Sequence, residues 1–221
     1  MSQRNEPIPV LYEDGDLVVC RKCAGVLSEA PGMPELLAAQ LGGRFFCVHR
    51  LDREVAGVMV LARDGKTAAK LSEAIASRAV TKQYLAVVEG IPAAPEGVLE
   101  DLLFHDRTKN KTYVVKRPRA GVKSAALDYT LLATAETESG PRSLLRITLH
   151  TGRTHQIRVQ FGSRRMPLVG DGKYGSSVRS GGIALLSHRL VFPHPATGET
   201  MEFSVPLPDT APWTDFSGCG I

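Results

Sequence analysis

Short apolar runs rich in Val, Leu and Ile recur along the chain between turn residues, and only a few stretches carry a helical period. Residues 10–13 and 17–21 read as two strands joined at Asp14-Gly15-Asp16, a good two-strand turn signal. Pro34 at its entry and Gly42-Gly43 at its exit frame a short helix over 35–41. Residues 57–63 are almost uniformly apolar and read as a buried strand. Asp64 then caps a helix running to about Arg78, with Ala68, Leu71, Ile75 and Ala79 on one face. Over 81–89 the pattern returns to period two, with Gln83, Leu85 and Val87 on one face and Lys82, Tyr84, Ala86 and Val88 on the other. Leu145, Ile147 and Leu149 alternate with Arg146, Thr148 and His150, which marks a half-exposed strand. Thr151-Gly152 breaks it, and Thr154 opens a helix with Ile157 and Phe161 at i, i+4. Further strands are expected over 183–192 and 201–205.

Strands outnumber helices, and most connections are too short for repeated crossovers. The expected class is α+β, on a largely antiparallel (mixed) central sheet with flanking helices. No internal repeat, low-complexity tract or long linker divides the chain, so one domain over 10–208 is expected, with tails at 1–9 and 209–221. The 221 residues, 43% hydrophobic and 23% charged, have ordinary globular composition and can bury a sizeable core without staples. No segment approaches the ~18 apolar residues of a membrane helix, and the first residues hold no apolar signal region, so a cytoplasmic protein without a membrane role is expected. Cys20, Cys23, Cys47 and Cys219 are too few and too scattered for a disulfide framework. Cys20 and Cys23 form an isolated C-x-x-C, and no second pair completes the four ligands of a structural zinc site.

The net charge of +4 says less than its distribution. Between 106 and 123 stand Arg107, Lys109, Lys111, Lys116, Arg117, Arg119 and Lys123 against the single acid Asp106. Between 153 and 165 stand four arginines and no acid, and after Arg189 come four acids and no Lys or Arg. Such segregation suits a polyanion-binding surface. Two segments hold the candidate chemistry: Val48-His49-Arg50-Leu51-Asp52-Arg53-Glu54, and Leu149-His150-Thr151-Gly152-Arg153-Thr154-His155-Gln156-Ile157-Arg158. By charge pattern alone the first is a surface ion pair and the second a strand-to-helix turn with a solvated basic face.

Taken together and in order, these segments carry a resemblance. His49-Arg50-Leu51-Asp52 followed by Gly57, then Lys82-Gln83-Tyr84, then the run from Thr151 to Arg158, is similar to the RluA-type pseudouridine synthase family. Leu11-Tyr12-Glu13-Asp14, Leu17-Val18-Val19, Lys22, Gly170-Asp171 and Tyr174-Gly175 resemble it too, so the likeness spans about 10–205. It implies a catalytic domain with a central cleft that converts uridine in RNA to pseudouridine. The motif position makes Asp52 the family's catalytic aspartate, which either attacks C1′ or abstracts a sugar proton. Arg153 matches the arginine that pairs with that aspartate and holds it ionised. Tyr84 matches the active-site tyrosine that lies against the target base, a candidate for removing the C5 proton. Arg50 matches a residue that fills the gap left by the extruded base, or else packs its stem locally. Lys22, whose counterpart lines the cleft, has the same two readings.

Lys116, Arg117 and Arg119 either grip phosphates or decorate a solvated hairpin, and Arg158, with Arg164 and Arg165, follows the catalytic turn as a further RNA contact. His49 and His155 are expected to shape their loops rather than transfer protons. The chain departs from the family pattern at Val55-Ala56, where Thr-Ser is usual, and at Cys23, where proline is usual. A separate RNA-binding domain ahead of Val10, such as many relatives carry, is not expected. No metal, nucleotide or redox cofactor is expected, since the reaction is an isomerisation and no Gly-rich phosphate loop is present. The expected partner is a stem-loop of ribosomal or transfer RNA, met by a monomer. The competing readings are a non-catalytic RNA-binding protein using the same basic cleft and a thiol protein built on Cys20 and Cys23.

Overall fold

Residues 7–218 are described in this computed structural model, and their contacts divide them into two compact units. The first comprises residues 7–82 with Ser187–Val205, and the second Gln83–Leu186 with residues 206–218. The architecture is α+β, as the pattern of elements predicts.

In the first unit β1 (Val10–Glu13), β2 (Leu17–Lys22), β4 (Ala56–Ala62) and β10 (Leu185–Pro193) lie side by side in that order. β3 (Phe46–Cys47) pairs with β4, and β11 (Thr200–Ser204) pairs with β10. Leu17, Val18, Val19 and Cys20 of β2 and Val58 to Ala62 of β4 are buried, which explains why β4 reads as an unbroken apolar run. Gly57 has φ +128°, and a Cβ there would run into the Ser187 backbone of β10. Only glycine fits that approach. α1 (Met33–Leu41) starts with Pro34 in its first turn and with the Glu35 carboxylate accepting the Gly32 N–H. α2 (Gly65–Ala76) is capped by Asp64, which accepts the Thr67 N–H, and it buries Leu71.

The β1–β2 turn is a polar hub. Asp14 accepts the N–H groups of Asp16 and Leu17, the Tyr12 hydroxyl, and His194 Nε2 at 2.8 Å. His194 Nδ1 in turn accepts the N–H groups of Ala196 and Thr197. Burial alone would raise the Asp14 pKa, but these donors outweigh it and hold it at about 2. Its depressed pKa contributes stability that is fully present above the unfolded value of 3.8 and is lost as pH falls towards 2. That contribution is about 1 kcal/mol once solvent screening is allowed for. Denaturant melts of Asp14→Asn should therefore show this deficit at pH 7, closing between about pH 4 and 2; a pH-independent gap would contradict the assignment.

In the second unit β5 (Thr81–Glu89), β9 (Arg142–Leu149), β8 (Val122–Ala135), β6 (Glu96–Asp106) and β7 (Lys111–Val115) lie in that order, every adjacent pair antiparallel. The β6–β7 hairpin and the long β8 go beyond what the sequence pattern predicts. α3 (Gln156–Gly162) starts after His155 rather than at Thr154, because His155 takes a left-handed conformation (φ 55°) that turns the chain into the helix. Phe161 is fully buried and meets the edge of Tyr129, tying α3 to β8. Among the described residues no helix is long and apolar enough to cross a membrane.

Candidate active site

Asp52 sits in the loop between β3 and β4, and both of its neighbours are fixed through their backbones. The Ser28 hydroxyl accepts the Leu51 N–H (3.0 Å) and donates to the Leu51 carbonyl (2.8 Å). On the other side, the Arg53 carbonyl accepts from Lys22 Nζ (3.0 Å) and from the Gly25 N–H (2.8 Å), while Arg53 Nε donates to the Gly25 carbonyl. The Val55 N–H closes a turn on the Asp52 carbonyl. A half-buried carboxylate is thus carried at the tip of a loop that cannot shift without breaking these bonds.

Lys22 is fully buried, and its ammonium also donates to the carbonyls of Cys23 and Val26. Burial lowers its pKa to about 8, against the opposing pull of Cys23, Glu54 and Asp52. His49, three residues before Asp52, accepts the Val60 N–H on Nε2, which anchors the loop to β4. Burial, with help from the Lys82 charge, pushes its pKa down to about 3, so the ring is neutral with its proton on Nδ1. That Nδ1 is buried and has no hydrogen-bond partner among the described residues. Arg50 is exposed and pairs with Glu29 at 3.2 Å. Lys22, Arg50 and Asp52 all belong to the first unit, and Tyr84, Arg153, Arg158, Lys116, Arg117 and Arg119 to the second.

In the second unit Tyr84 is a buried residue of β5, opposite Ile147 of β9. Arg153 follows β9 in a turn riveted to β8. Its N–H donates to Gln156 Oε1 (3.0 Å) and its Nε to the Ser124 carbonyl (2.9 Å). Gln156 Nε2 donates to the Ala126 carbonyl, and the Thr151 hydroxyl donates to Gln156 Oε1 and accepts the Ala126 N–H. Lys116, Arg117 and Arg119 are exposed in the connection between β7 and β8, with the Arg119 guanidinium 4.6 Å from the centre of the Phe104 ring.

Arg158 occupies a different kind of place. It is buried, and its guanidinium grips the Asp171 carboxylate in a two-pronged pair (2.6 and 2.9 Å) beside the Tyr174 ring. Arg164 pairs with Asp101 in the same unit. The sequence assigns no role to Ser28, Thr112, Asp171 or Tyr174. Gly170-Asp171 and Tyr174-Gly175 stand out as a motif, whereas nothing around Ser28 marks it.

Among the described cysteines Cys20 is buried and Cys23 and Cys47 are half-buried. Burial pushes the Cys20 thiol up to about 12 and raises that of Cys47, so neither is a ready nucleophile. Cys219 lies outside the described residues. Asp14, Asp16 and His194 are the one cluster of possible metal ligands among the described residues, and both ring nitrogens of His194 already face protein partners there.

Comparison with known proteins gives a consistent result. Residues 16–163 match the family described as RNA pseudouridylate synthase. An uncharacterised RNA pseudouridine synthase of Aquifex aeolicus is 34% identical over 230 residues, covering 93% of this chain and 71% of that protein. The ribosomal large subunit pseudouridine synthase D of Vibrio cholerae is 32% identical, covering 92% of this chain and 68% of that one. Among solved structures, human RNA Pseudouridylate Synthase Domain Containing 1 shares the fold with a TM-score of 0.79 at 23% identity, over 93% of this chain and 85% of that one. Human RNA Pseudouridylate Synthase Domain Containing 4 follows with a TM-score of 0.73 at 25% identity, over 91% and 89% of the two chains.

Proposed function

Because the chain belongs to the RluA-type RNA pseudouridine synthase family, we propose that residues 10–208 form its catalytic portion, with Asp52 as the reacting carboxylate. The target uridine leaves its stack, at a cost of a few kcal/mol, and Asp52 either attacks C1′ or takes a sugar proton as the bond from C1′ to N1 breaks. The freed uracil turns and C5 bonds to C1′ as the Asp52 oxygen leaves C1′ or, on the other route, as Asp52 returns the proton to the sugar. The C5 proton then departs and N1 gains one, so substrate and product are isomers and nothing is consumed. Tyr84 is the candidate base for the C5 proton, and Arg153 stands at the position of the family's active-site arginine. Arg50 stands in for the extruded base, leaving Glu29 when RNA arrives.

The observation that supports this reading most is the clamping of the backbone on both sides of Asp52. Binding RNA gives no reason to fix a carboxylate where a polyanion must approach, whereas a reacting group has to be held in place. Lys22 and Arg158 then serve as internal supports rather than as phosphate contacts, because each has its charged end turned onto the protein. Relatives named for the large ribosomal subunit make ribosomal RNA the first substrate to test and transfer RNA the second. A monomer working in the cytoplasm completes the proposal.

The test is incubation of the purified protein with unmodified transcripts of large-subunit ribosomal RNA and of transfer RNAs, followed by chemical mapping of pseudouridine. Pseudouridine at defined positions is the expected result. RNA binding with no pseudouridine in either pool would favour a non-catalytic binder instead. The loop cations make a separate prediction. Replacing Lys116, Arg117 and Arg119 together by Gln should weaken binding and flatten the plot of log K against log salt by about 2–3, at ~0.7–0.9 for each phosphate left without its cation. An unchanged slope would remove these residues from the interface.

A further inference from the structure

β7, which leads into the loop of Lys116, Arg117 and Arg119, is tied to the Arg153 turn of the same unit through a buried residue. Thr112 of β7 is 1% exposed, lies opposite His105 of β6 and uses both its backbone and its side chain. Its hydroxyl donates to the Thr154 carbonyl (2.8 Å), so the contact with His105 Nδ1 (3.0 Å) has to be an N–H donated to Thr112 Oγ1. Its backbone N–H donates to Tyr174 Oη (2.8 Å), and that same oxygen lies 2.8 Å from His155 Nδ1. The carbonyl of residue 154 and the ring of residue 155, immediately after Arg153, are thus both tied to a single position on the hairpin. Arg153 itself leans on the carbonyl of Ser124 in β8, the strand that follows the loop of Lys116, Arg117 and Arg119.

We propose that Thr112 is a positioning residue, which transmits the seating of RNA phosphates on the loop of Lys116, Arg117 and Arg119, just beyond β7, to the Arg153 turn and so sets the placement of Arg153. The proposal rests on the reading of Arg153 given above. Thr112 touches neither RNA nor reacting atoms, so it acts on turnover rather than on affinity. A hairpin free to move without its turn would bind equally well and leave Arg153 unset. Misplacement by about 1 Å is enough to cost up to 10²-fold in rate.

The experiment compares Thr112→Val, which keeps the shape and removes the hydroxyl, with Thr112→Ser, which restores it. Tyr174→Phe, which removes the second link while keeping the ring, provides an independent arm. Each is assayed at saturating concentrations of a transcript carrying a uridine that the parent protein converts, with Kd for that transcript measured in parallel and a thermal melt establishing the folded fraction. Thr112→Val is expected to lower kcat by about 10–100-fold with Kd within about twofold of the parent, Thr112→Ser to recover most of the rate, and Tyr174→Phe to fall between them. Combining Thr112→Val with the three loop substitutions should cost less kcat than the product of the two separate losses. Unchanged kcat per folded molecule in Thr112→Val and Tyr174→Phe, or a loss carried wholly by Kd, would overturn the proposal. Asp52→Asn assayed alongside keeps the two ideas separable: its full activity would remove the proposed chemistry, whereas the split between kcat and Kd judges Thr112 by itself.

Discussion

Asp52→Asn is expected to bind RNA as the parent does and to lose turnover by about 10⁴-fold or more, the scale seen when a reacting side chain is deleted from an otherwise intact site. The substitution exchanges a carboxylate oxygen for an amide of the same size, which can neither form a bond to C1′ nor take a proton from the sugar. It should leave the loop in place, because the bonds that hold the loop run through the backbones of Leu51 and Arg53 to Ser28, Lys22 and Gly25. Removing one negative charge from an RNA-facing surface should, if anything, tighten binding slightly. Pseudouridine formed per enzyme at saturating RNA, with Kd measured on the same preparation, checks both halves. Activity within tenfold of the parent would end the case for Asp52.

Asp171→Ala is expected to be the most damaging single change to stability. Arg158 and Asp171 have side chains 6% and 1% exposed, so deleting the carboxylate takes the two-pronged counter-charge from a buried guanidinium. Stranding one member of a buried pair costs about 3–5 kcal/mol, because its desolvation is no longer offset. In a chain of this size that corresponds to a fall in melting temperature of roughly 6–20 °C. Adding Arg158→Met should restore much of the loss, since an apolar side chain in that space needs no partner. A loss under 1 kcal/mol for Asp171→Ala, measured by denaturant titration, would mean that water reaches the guanidinium and that the pair is not truly interior.

What the sequence reveals, and what it hides, follows from physical causes that differ from element to element. The turn at Asp14-Gly15-Asp16, the Asp64 cap of α2 and the alternation of β5 and β9 are local signals, and each leads to the right element. β8 escapes notice because its register shifts between Leu131 and Ala133, which reverses the phase of the alternation midway and erases the period-two pattern. β6 is masked by polar residues at its exposed and half-covered positions, Glu100, Asp101 and His105 among them. The pattern misplaces the start of α3 because its opening is supported by the Gln156 side chain and a left-handed His155 rather than by a hydroxyl at Thr154.

The site is legible as motifs and not as contacts. Asp52 and Arg153 stand out because their segments are long and specific, and Tyr84 because the short Lys82-Gln83-Tyr84 run falls between them in order. Lys22 and Arg158 read as RNA contacts because charge along a sequence does not say which cations face inward. The partner of Arg158 lies 13 residues away in the chain, and that of Leu51 lies 23 away, so only the folded molecule brings them together.

The close approach at Gly57 also bears on how this enzyme could be re-engineered. Its backbone leaves no volume for even a methyl group beside Ser187, so directed evolution at the start of β4 has to treat that codon as invariant. Ala56, part-exposed and small, is where new hydroxyls or bulk could be introduced to tune the segment that carries the acid. Selectivity for one RNA over another can be sought there without first rebuilding the scaffold beneath.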